Sequence, residues 1–241
     1  MQKILGRVRK AVQQYDMIQD GDRIAVGVSG GKDSLALLAA LVRLRSFIGI
    51  EYEVTALTID PTFGGKPTDF SSVTEFCRGL GAEHVIVPTQ IGEIVFEARR
   101  EPNPCSLCSR MRRGALTNAA EELGCSKIAL GHNYDDVVET FLMNLFTEGR
   151  IGCFSPVTTL DDRNITVIRP LVLTEEKEIR SASRRCELPV VRSGCPADGH
   201  TNREKTKNLL SQLEHNDRGI KERIFGALVR SGIDGWGITE K

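Results

Sequence analysis

Apolar positions along this chain keep two rhythms that alternate. Ile4, Leu5, Val8, Val12, Tyr15 and Ile18 recur at helical spacing, so the first ~20 residues read as an amphipathic helix, broken by Asp20-Gly21-Asp22. Residues 23–28 form a short apolar run ending in Ser29-Gly30-Gly31, and residues 35–47 return to a helical period, which predicts strand, glycine turn and helix. The unit then repeats. A β-branched run at 52–59 predicts a second strand, 69–80 a helix, 84–87 a third strand and 91–98 a helix. Residues 99–104 read as a loop, 108–123 as a helix, 127–130 as a strand, 134–146 as a helix and 165–168 as a fifth strand.

Alternating strands and helices imply an α/β fold: an open parallel sheet of about five strands with helices on both faces, whose ligands sit at the carboxyl ends of the strands. After Pro170 the pattern changes to a charged helix at 175–186, a short extended piece at 189–191 and two polar helices within 202–231, around Asn216-Asp217. The expected organisation is an N-terminal helix (1–20), an α/β domain that carries Cys105 and Cys108 (21–172) and a small helical C-terminal appendage with Cys195 (173–241).

Composition narrows the function classes. With 241 residues, 40% hydrophobic and 27% charged, the chain has the makeup of a globular protein and excludes disordered or fibrous classes. Its longest apolar run, residues 35–42, is eight residues, far below the ~20 that a membrane helix needs. No apolar stretch follows the basic residues Lys3, Arg7, Arg9 and Lys10, so a secretory leader is not expected. Seven cysteines, an odd set in a chain large enough to fold without staples, suggest a cytoplasmic protein with thiols available for metal or redox chemistry. Lys plus Arg equals Asp plus Glu at 32 each, so a nucleic-acid site must come from local clustering.

Ser29-Gly30-Gly31-Lys32-Asp33-Ser34 lies where a buried strand meets a helix N-terminus. Glycines there let the backbone approach an anion that unsatisfied N–H groups bind, and phosphate is the natural ligand. Ser29 and Ser34 add hydroxyls, Lys32 a positive charge, and Asp33 a candidate ligand for the Mg2+ that accompanies a triphosphate. Neither the phosphoryl-transfer P-loop pattern nor the dinucleotide glycine pattern is present. Gly131-His132-Asn133-Tyr134-Asp135-Asp136 also ends a strand and opens a helix; Asn133 fits a helix cap, and first-turn acids are stabilised by the helix dipole whether or not they act.

Cys105 and Cys108 are one turn apart near a helix start, where the dipole is expected to lower a thiol pKa. Cys195, in a loop with Gly194 and Pro196, is a candidate third thiolate, and His200 a candidate fourth ligand of a zinc site. Zinc, a dithiol and coincidence all remain open on spacing alone. Cys77, Cys125, Cys153 and Cys186 read as packing cysteines.

The string Ser29 to Ser34 resembles the PP-loop of the N-type ATP pyrophosphatases, a Rossmann-like family that cleaves ATP between the α- and β-phosphates and adenylates a substrate oxygen. Gly131 to Asp136 resembles that family's second motif, which implies nucleotide or Mg2+ contacts from Gly131, His132, Asp135 and Asp136. Asp60, ending the second strand, resembles its adenosine-binding edge. The run Cys105-Ser106-Leu107-Cys108-Ser109-Arg110-Met111-Arg112-Arg113-Gly114 resembles the tRNA 2-thiocytidine synthetase (TtcA) branch, as do Glu122-Leu123-Gly124, 127–132 and Ile168-Arg169-Pro170-Leu171. The resemblance covers most of residues 20–200. It implies a [4Fe-4S] cluster on Cys105, Cys108 and Cys195, with one iron open to hold a hydrosulfide. A companion cysteine three residues before Cys195 is expected from the family, and this chain has Arg192 there.

The implied activity is thiolation of a tRNA cytidine at C2, with cytidine 32 the implied target and a cysteine desulfurase the implied sulfur donor. Lys32, Asp33, Asp135 and Arg112 are the implied catalytic residues, Arg112 neutralising an anionic intermediate or forming a salt bridge. Residues 99–113 hold Arg99, Arg100, Arg110, Arg112 and Arg113 against one acid, Glu101, a patch suited to tRNA phosphates. Uridine thiolation, a metal-free adenylating ligase and a nucleotide-binding module with structural zinc are the rival readings. No membrane partner is expected, and a homodimer is one assembly left open.

Overall fold

The computed structural model describes residues 1–99, 103–192, 194–197 and 202–237. Arg100, Glu101, Ser193 and His200 lie outside the described residues. The strands are β1 (Asp22–Gly27), β2 (Tyr52–Asp60), β3 (Glu83–Pro88), β4 (Lys127–Ala129), β5 (Val157–Leu160) and β6 (Ile165–Ile168). They form one sheet in the order β3-β2-β1-β4-β6-β5. All neighbours are parallel except β5, which pairs antiparallel with β6. The sheet therefore has six strands where the hydrophobic pattern suggests five. The missed strand, Val-Thr-Thr-Leu, is a short edge strand with no buried residue to announce it.

Side chains of successive strand residues feed opposite layers. Ile24 and Val26 of β1 join a core with α1 (Gln2–Gln14), α2 (Lys32–Leu44) and α3 (Ser71–Leu80), while Ala25 joins Ala119 and Ala120 of α5 (Pro104–Glu122) on the other face. Between β3 and α5 lies a short helical turn, α4 (Ile91–Glu93), continued by a wider turn over Ile94–Ala98. The remaining helices are α6 (Tyr134–Thr147), α7 (Glu176–Arg185), α8 (Asn202–Asn216) and α9 (Ile220–Ser231). The first helix ends at Gln14, earlier than its apolar spacing suggests; Asp16 turns the chain at φ 50°, and Met17 and Ile18 still reach the core from the turn beyond.

The C-terminal segment packs back onto this framework. Ile179, Ala182, Leu188, Leu228 and Trp236 belong to the same core as β1 and α2. Trp236 is fully buried, donates from Nε1 to the Phe154 carbonyl at 2.9 Å and sets its ring edge against Tyr15. The strand order reverses between the parallel strands β1 and β4, so the segments leaving these two strands flank the crevice where open α/β sheets bind ligands. Among the described residues no helix is long and apolar enough to cross a membrane.

Candidate active site

Both sequence motifs open at that crevice. In the first, Gly30 adopts φ +81°, a conformation that favours glycine, and Gly31 caps α2 in extended geometry. Ser34 Oγ donates to the Gly31 carbonyl at 2.9 Å and accepts from Ser29 N at 3.2 Å. The loop is thereby braced from within, leaving the first N–H groups of α2 as an anion site. Lys32 Nζ lies 2.8 Å from Asp33 Oδ2 and 3.0 Å from Glu176 Oε1. Burial works against the Lys32 charge, but the bonds and attraction to Asp33 and Glu176 prevail and raise its pKa.

The second motif is pressed against the first. A Cβ on Gly131 would stand 3.1 Å from Ser34 N and 3.2 Å from the Asp33 carbonyl carbon, so any side chain there would push the chain after β4 and the start of α2 apart by a few tenths of an ångström. Asn133 caps α6, accepting from Asp135 N and Asp136 N at 2.9 and 3.1 Å, while Asp136 Oδ2 returns a bond from Asn133 N at 2.9 Å. Its Nδ2 also donates to Asp33 Oδ1 at 3.2 Å, a cross-link between the motifs that capping alone does not foretell.

Asp135 and Asp136, for which the resemblance implies nucleotide or Mg2+ contact, are bonded to groups on later helices. Asp135 accepts from Lys221 Nζ and from Glu176 N, both at 2.7 Å. Asp136 pairs with Arg203 at 2.7 Å. The first-turn geometry turns both carboxylates toward α7, α8 and α9, and neither lines the cavity described below. Burial raises the Asp136 pKa, with Arg203 opposing. Glu176 ties the arrangement together through Lys32, Lys207 and Arg180; burial alone would raise its pKa, yet hydrogen bonds from Lys207 and Lys32 hold it down to about 2. Sequence reasoning missed Glu176, Arg203, Lys207 and Lys221. The cations are interleaved with acids in the sequence, so only their packing singles them out.

Asp60 is likewise engaged locally. Only 2% exposed, it accepts from Thr62 N, Thr68 N and Thr68 Oγ1 at 3.1, 2.8 and 3.0 Å. Its carboxylate organises the loop after β2, and its neighbour Ile59 is the residue that reaches the cavity.

That cavity, about 500 Å³, joins the phosphate loop to the thiols. Ser29, Asp33, Ser34, Gly131 and His132 line one end, Cys105, Cys108 and Cys195 the other, with Arg112 and Arg113 beside them. Its volume suits a nucleotide-sized ligand. Helix α5 starts at Pro104, four residues before the apolar pattern suggests, so Cys105 and Cys108 stand on one face one turn apart. Cys108 is buried among Ile59, Ile91 and Val95. This burial raises its thiol pKa, against the expected effect of the helix dipole; Arg112 lowers it, and Cys195 and Cys105 raise it further. Cys195 arrives on a segment that crosses the phosphate loop, where Val191 N donates to the Gly30 carbonyl at 3.0 Å. Thus the third thiol is tethered to the ATP loop itself.

The donor set fits a cluster better than a single ion. Thiolates on one zinc, each about 2.3 Å from it, must nearly touch, whereas thiolates on different irons stand apart by the breadth of the cluster. Among the described residues no three His, Cys, Asp or Glu side chains converge on a single-ion site, yet the three thiols share one cavity. None of the seven cysteines forms a disulfide. Burial pushes Cys77 and Cys153 up to about 11 and about 12 and raises Cys125, as packing cysteines require. Cys186 departs from that expectation: it is exposed at the end of α7. Of the arginine patch, Arg99 and Arg110 are exposed, while Arg113 reaches from an exposed position into the cavity.

Known proteins resemble this chain over most of its length. A PP-loop domain family model matches residues 2–208. A tRNA-cytidine(32) 2-sulfurtransferase of Geobacter sulfurreducens is 42% identical over 94% of this chain and 88% of its own length. One from Cupriavidus necator is 37% identical over 94% of this chain and 72% of its own. The solved U34-tRNA thiolase NcsA from Methanococcus maripaludis, with its [4Fe-4S] cluster, aligns with TM-score 0.79 and 27% identity over 95% of this chain and 78% of that one. An NH3-dependent NAD synthetase from Campylobacter jejuni, 16% identical with TM-score 0.52 over 100% of this chain and 97% of that one, shares the fold. The chain belongs to the PP-loop family and, within it, to the tRNA-cytidine(32) 2-sulfurtransferases.

Proposed function

We propose that this chain is an ATP-dependent tRNA sulfurtransferase that replaces the C2 oxygen of cytidine 32 with sulfur. The observation that carries the reading is one cavity lined by the phosphate loop at one end and by three cysteines at the other. The C2 oxygen is a poor leaving group until it is adenylated. It attacks the α-phosphorus, pyrophosphate departs, and a hydrosulfide at the thiol end then adds to C2 and expels AMP with the oxygen.

The residues divide this work. The N–H groups at the start of α2, with Ser29 and Ser34, hold the departing phosphates, and Lys32 stabilises their charge as the bond breaks. Asp33 is the carboxylate among the cavity-lining residues, so Mg2+ accompanying ATP would meet it there. Asn133, Asp135 and Asp136 act as positioning residues that fix Asp33 and α6. Cys105, Cys108 and Cys195 would hold the [4Fe-4S] cluster, which supplies an iron site for the sulfur nucleophile when bound. Arg112 offsets negative charge beside the thiols. Arg99 and Arg110 supply tRNA backbone contacts on the outer rim. A cysteine desulfurase as sulfide source and a cytoplasmic location belong to the same proposal, supported by thiol chemistry that needs a reducing compartment.

Mass spectrometry of tRNA nucleosides from cells with and without the gene tests this. Loss of 2-thiocytidine on deletion is the expected result. Loss of 2-thiouridine would favour a uridine target, a reading supported by the likeness to the U34-tRNA thiolase. An unchanged nucleoside profile would overturn both.

A further inference from the structure

The cavity joining the two ends carries more positive charge than its own acid can balance. Asp33, its carboxylate, is already held by Lys32 at 2.8 Å and by Asn133 at 3.2 Å. Arg112 and Arg113 line the same space, and among the described residues neither side chain makes an ion pair or hydrogen bond. Behind Arg113 lie two more nitrogens without hydrogen-bond partners. His132 forms part of the cavity wall with its ring 4.8 Å from that of Phe154, and its Nδ1 is buried without a hydrogen-bond partner. Arg169 sits over the same Phe154 ring at 5.1 Å, donating from Nη1 to the Ser155 carbonyl at 2.6 Å and to Thr158 Oγ1 at 3.1 Å. Its Nε is buried and unpartnered too.

Burial pushes Arg169 down to about 10, with Arg113 adding to the fall, and burial followed by Arg169, Arg203 and Arg113 pushes His132 down to about 3. Burial beside other cations causes both: His132 is held neutral, and among the described residues Arg169 has no carboxylate paired with it. Such a group is costly until an anion completes it. The phosphate loop and Lys32 already serve the end of the triphosphate that departs. Cleavage between the α- and β-phosphates leaves the α-phosphate facing the thiols, and charge builds on its oxygens as the nucleobase oxygen attacks.

We propose that Arg113 binds the α-phosphate of ATP and of the leaving AMP, with the buried Arg169 cation behind it and the neutral His132 ring in the cavity wall. This deepens the proposed sulfurtransfer reaction and rests on it. It also assigns Arg113, an exposed residue that reaches into the cavity, to ATP and not to the outer tRNA patch.

The test titrates AMP, pyrophosphate and unmodified tRNA separately against the iron-loaded full-length protein, its Arg113→Gln variant and its Arg113→Lys variant. The expected result is AMP binding weakened about tenfold or more in Arg113→Gln and partly restored in Arg113→Lys, since charge-assisted phosphate contacts are strong. Pyrophosphate and tRNA affinities stay within about twofold, because those ligands use other groups. Arg113 is exposed at the rim, so the variants should keep the wild-type melting temperature. Unchanged AMP affinity in Arg113→Gln overturns the assignment. So does weakened tRNA binding with unchanged AMP binding and a salt slope shallower by about one, which would make a tRNA phosphate the anion. Wild-type protein that binds neither AMP nor pyrophosphate would sink the proposed function itself.

Discussion

The phosphate end and the thiol end of the cavity are built on opposite principles. Around the phosphate end most polar side chains already have a partner within the chain: Ser34 to Gly31, Asn133 to Asp33, Lys32 to Glu176. At the thiol end Cys108, Arg112 and Arg113 sit among Ile59, Phe96 and Leu116, with far less polar bonding. A closed network holds its shape before ligand arrives, and an open one awaits its ligands for completion. The difference is one of polar bonding: a braced loop at one end, and thiols and arginines among apolar side chains at the other. The tether from Val191 to Gly30 is the structural link between them.

Cysteine substitution should separate the ends most sharply. Alanine at Cys105, Cys108 or Cys195 is expected to lower tRNA thiolation at least ~100-fold, a scale expected for loss of a group that positions the nucleophile. ATP binding by calorimetry should stay within about threefold for Cys105→Ala and Cys108→Ala. A Cys105→Ala protein unable to bind ATP would break the comparison. Next, Gly131→Ala places a Cβ against Ser34 N and should cost roughly 2–3 kcal/mol in chemical denaturation, with weaker ATP binding. Full stability in that variant would mean the two motifs are not held in contact.

Glu139 provides a pH signature for the polar side of α6. It is 5% exposed, and burial lifts its pKa from the ordinary 4.5 to about 7, Asp136 adding to the rise and Arg203 opposing it. The folded state then holds a proton that the unfolded state has lost, so this contribution favours folding below pH 4.5 and is lost as pH rises from there to about 7. Glu139→Gln should therefore be more stable than wild type above pH 7 by about 2–3 kcal/mol, the gap closing below pH 5. A pH-independent difference would refute the assignment. The smallest effect is expected for Asn133→Ala, at about 1 kcal/mol from the lost cap, with a modest loss in ATP affinity through Asp33. Unaltered ATP affinity would show that the cross-link to Asp33 is dispensable.

Local features were readable because their causes are local. Period-2 and period-3.6 runs placed the β1, β2 and β4 strands and the α2 and α6 helices within a few residues, since burial of one face imposes the pattern. The glycine turn follows from backbone freedom and the Asn133 cap from side-chain reach. The short β5 strand escaped because an exposed edge strand leaves no periodic trace.

Residue types and spacing by themselves determined an α/β chain with an anion-binding turn and a pair of thiols one helical turn apart. Tertiary structure decided which charges face the cavity: Asp33 and Arg113 inward, Asp60, Asp135 and Asp136 engaged elsewhere. It also decided that the segment carrying Cys195 crosses Gly30. The physical reason is range. A turn or a cap is settled by neighbours in sequence, whereas a carboxylate's partner depends on which distant helix packs beside it.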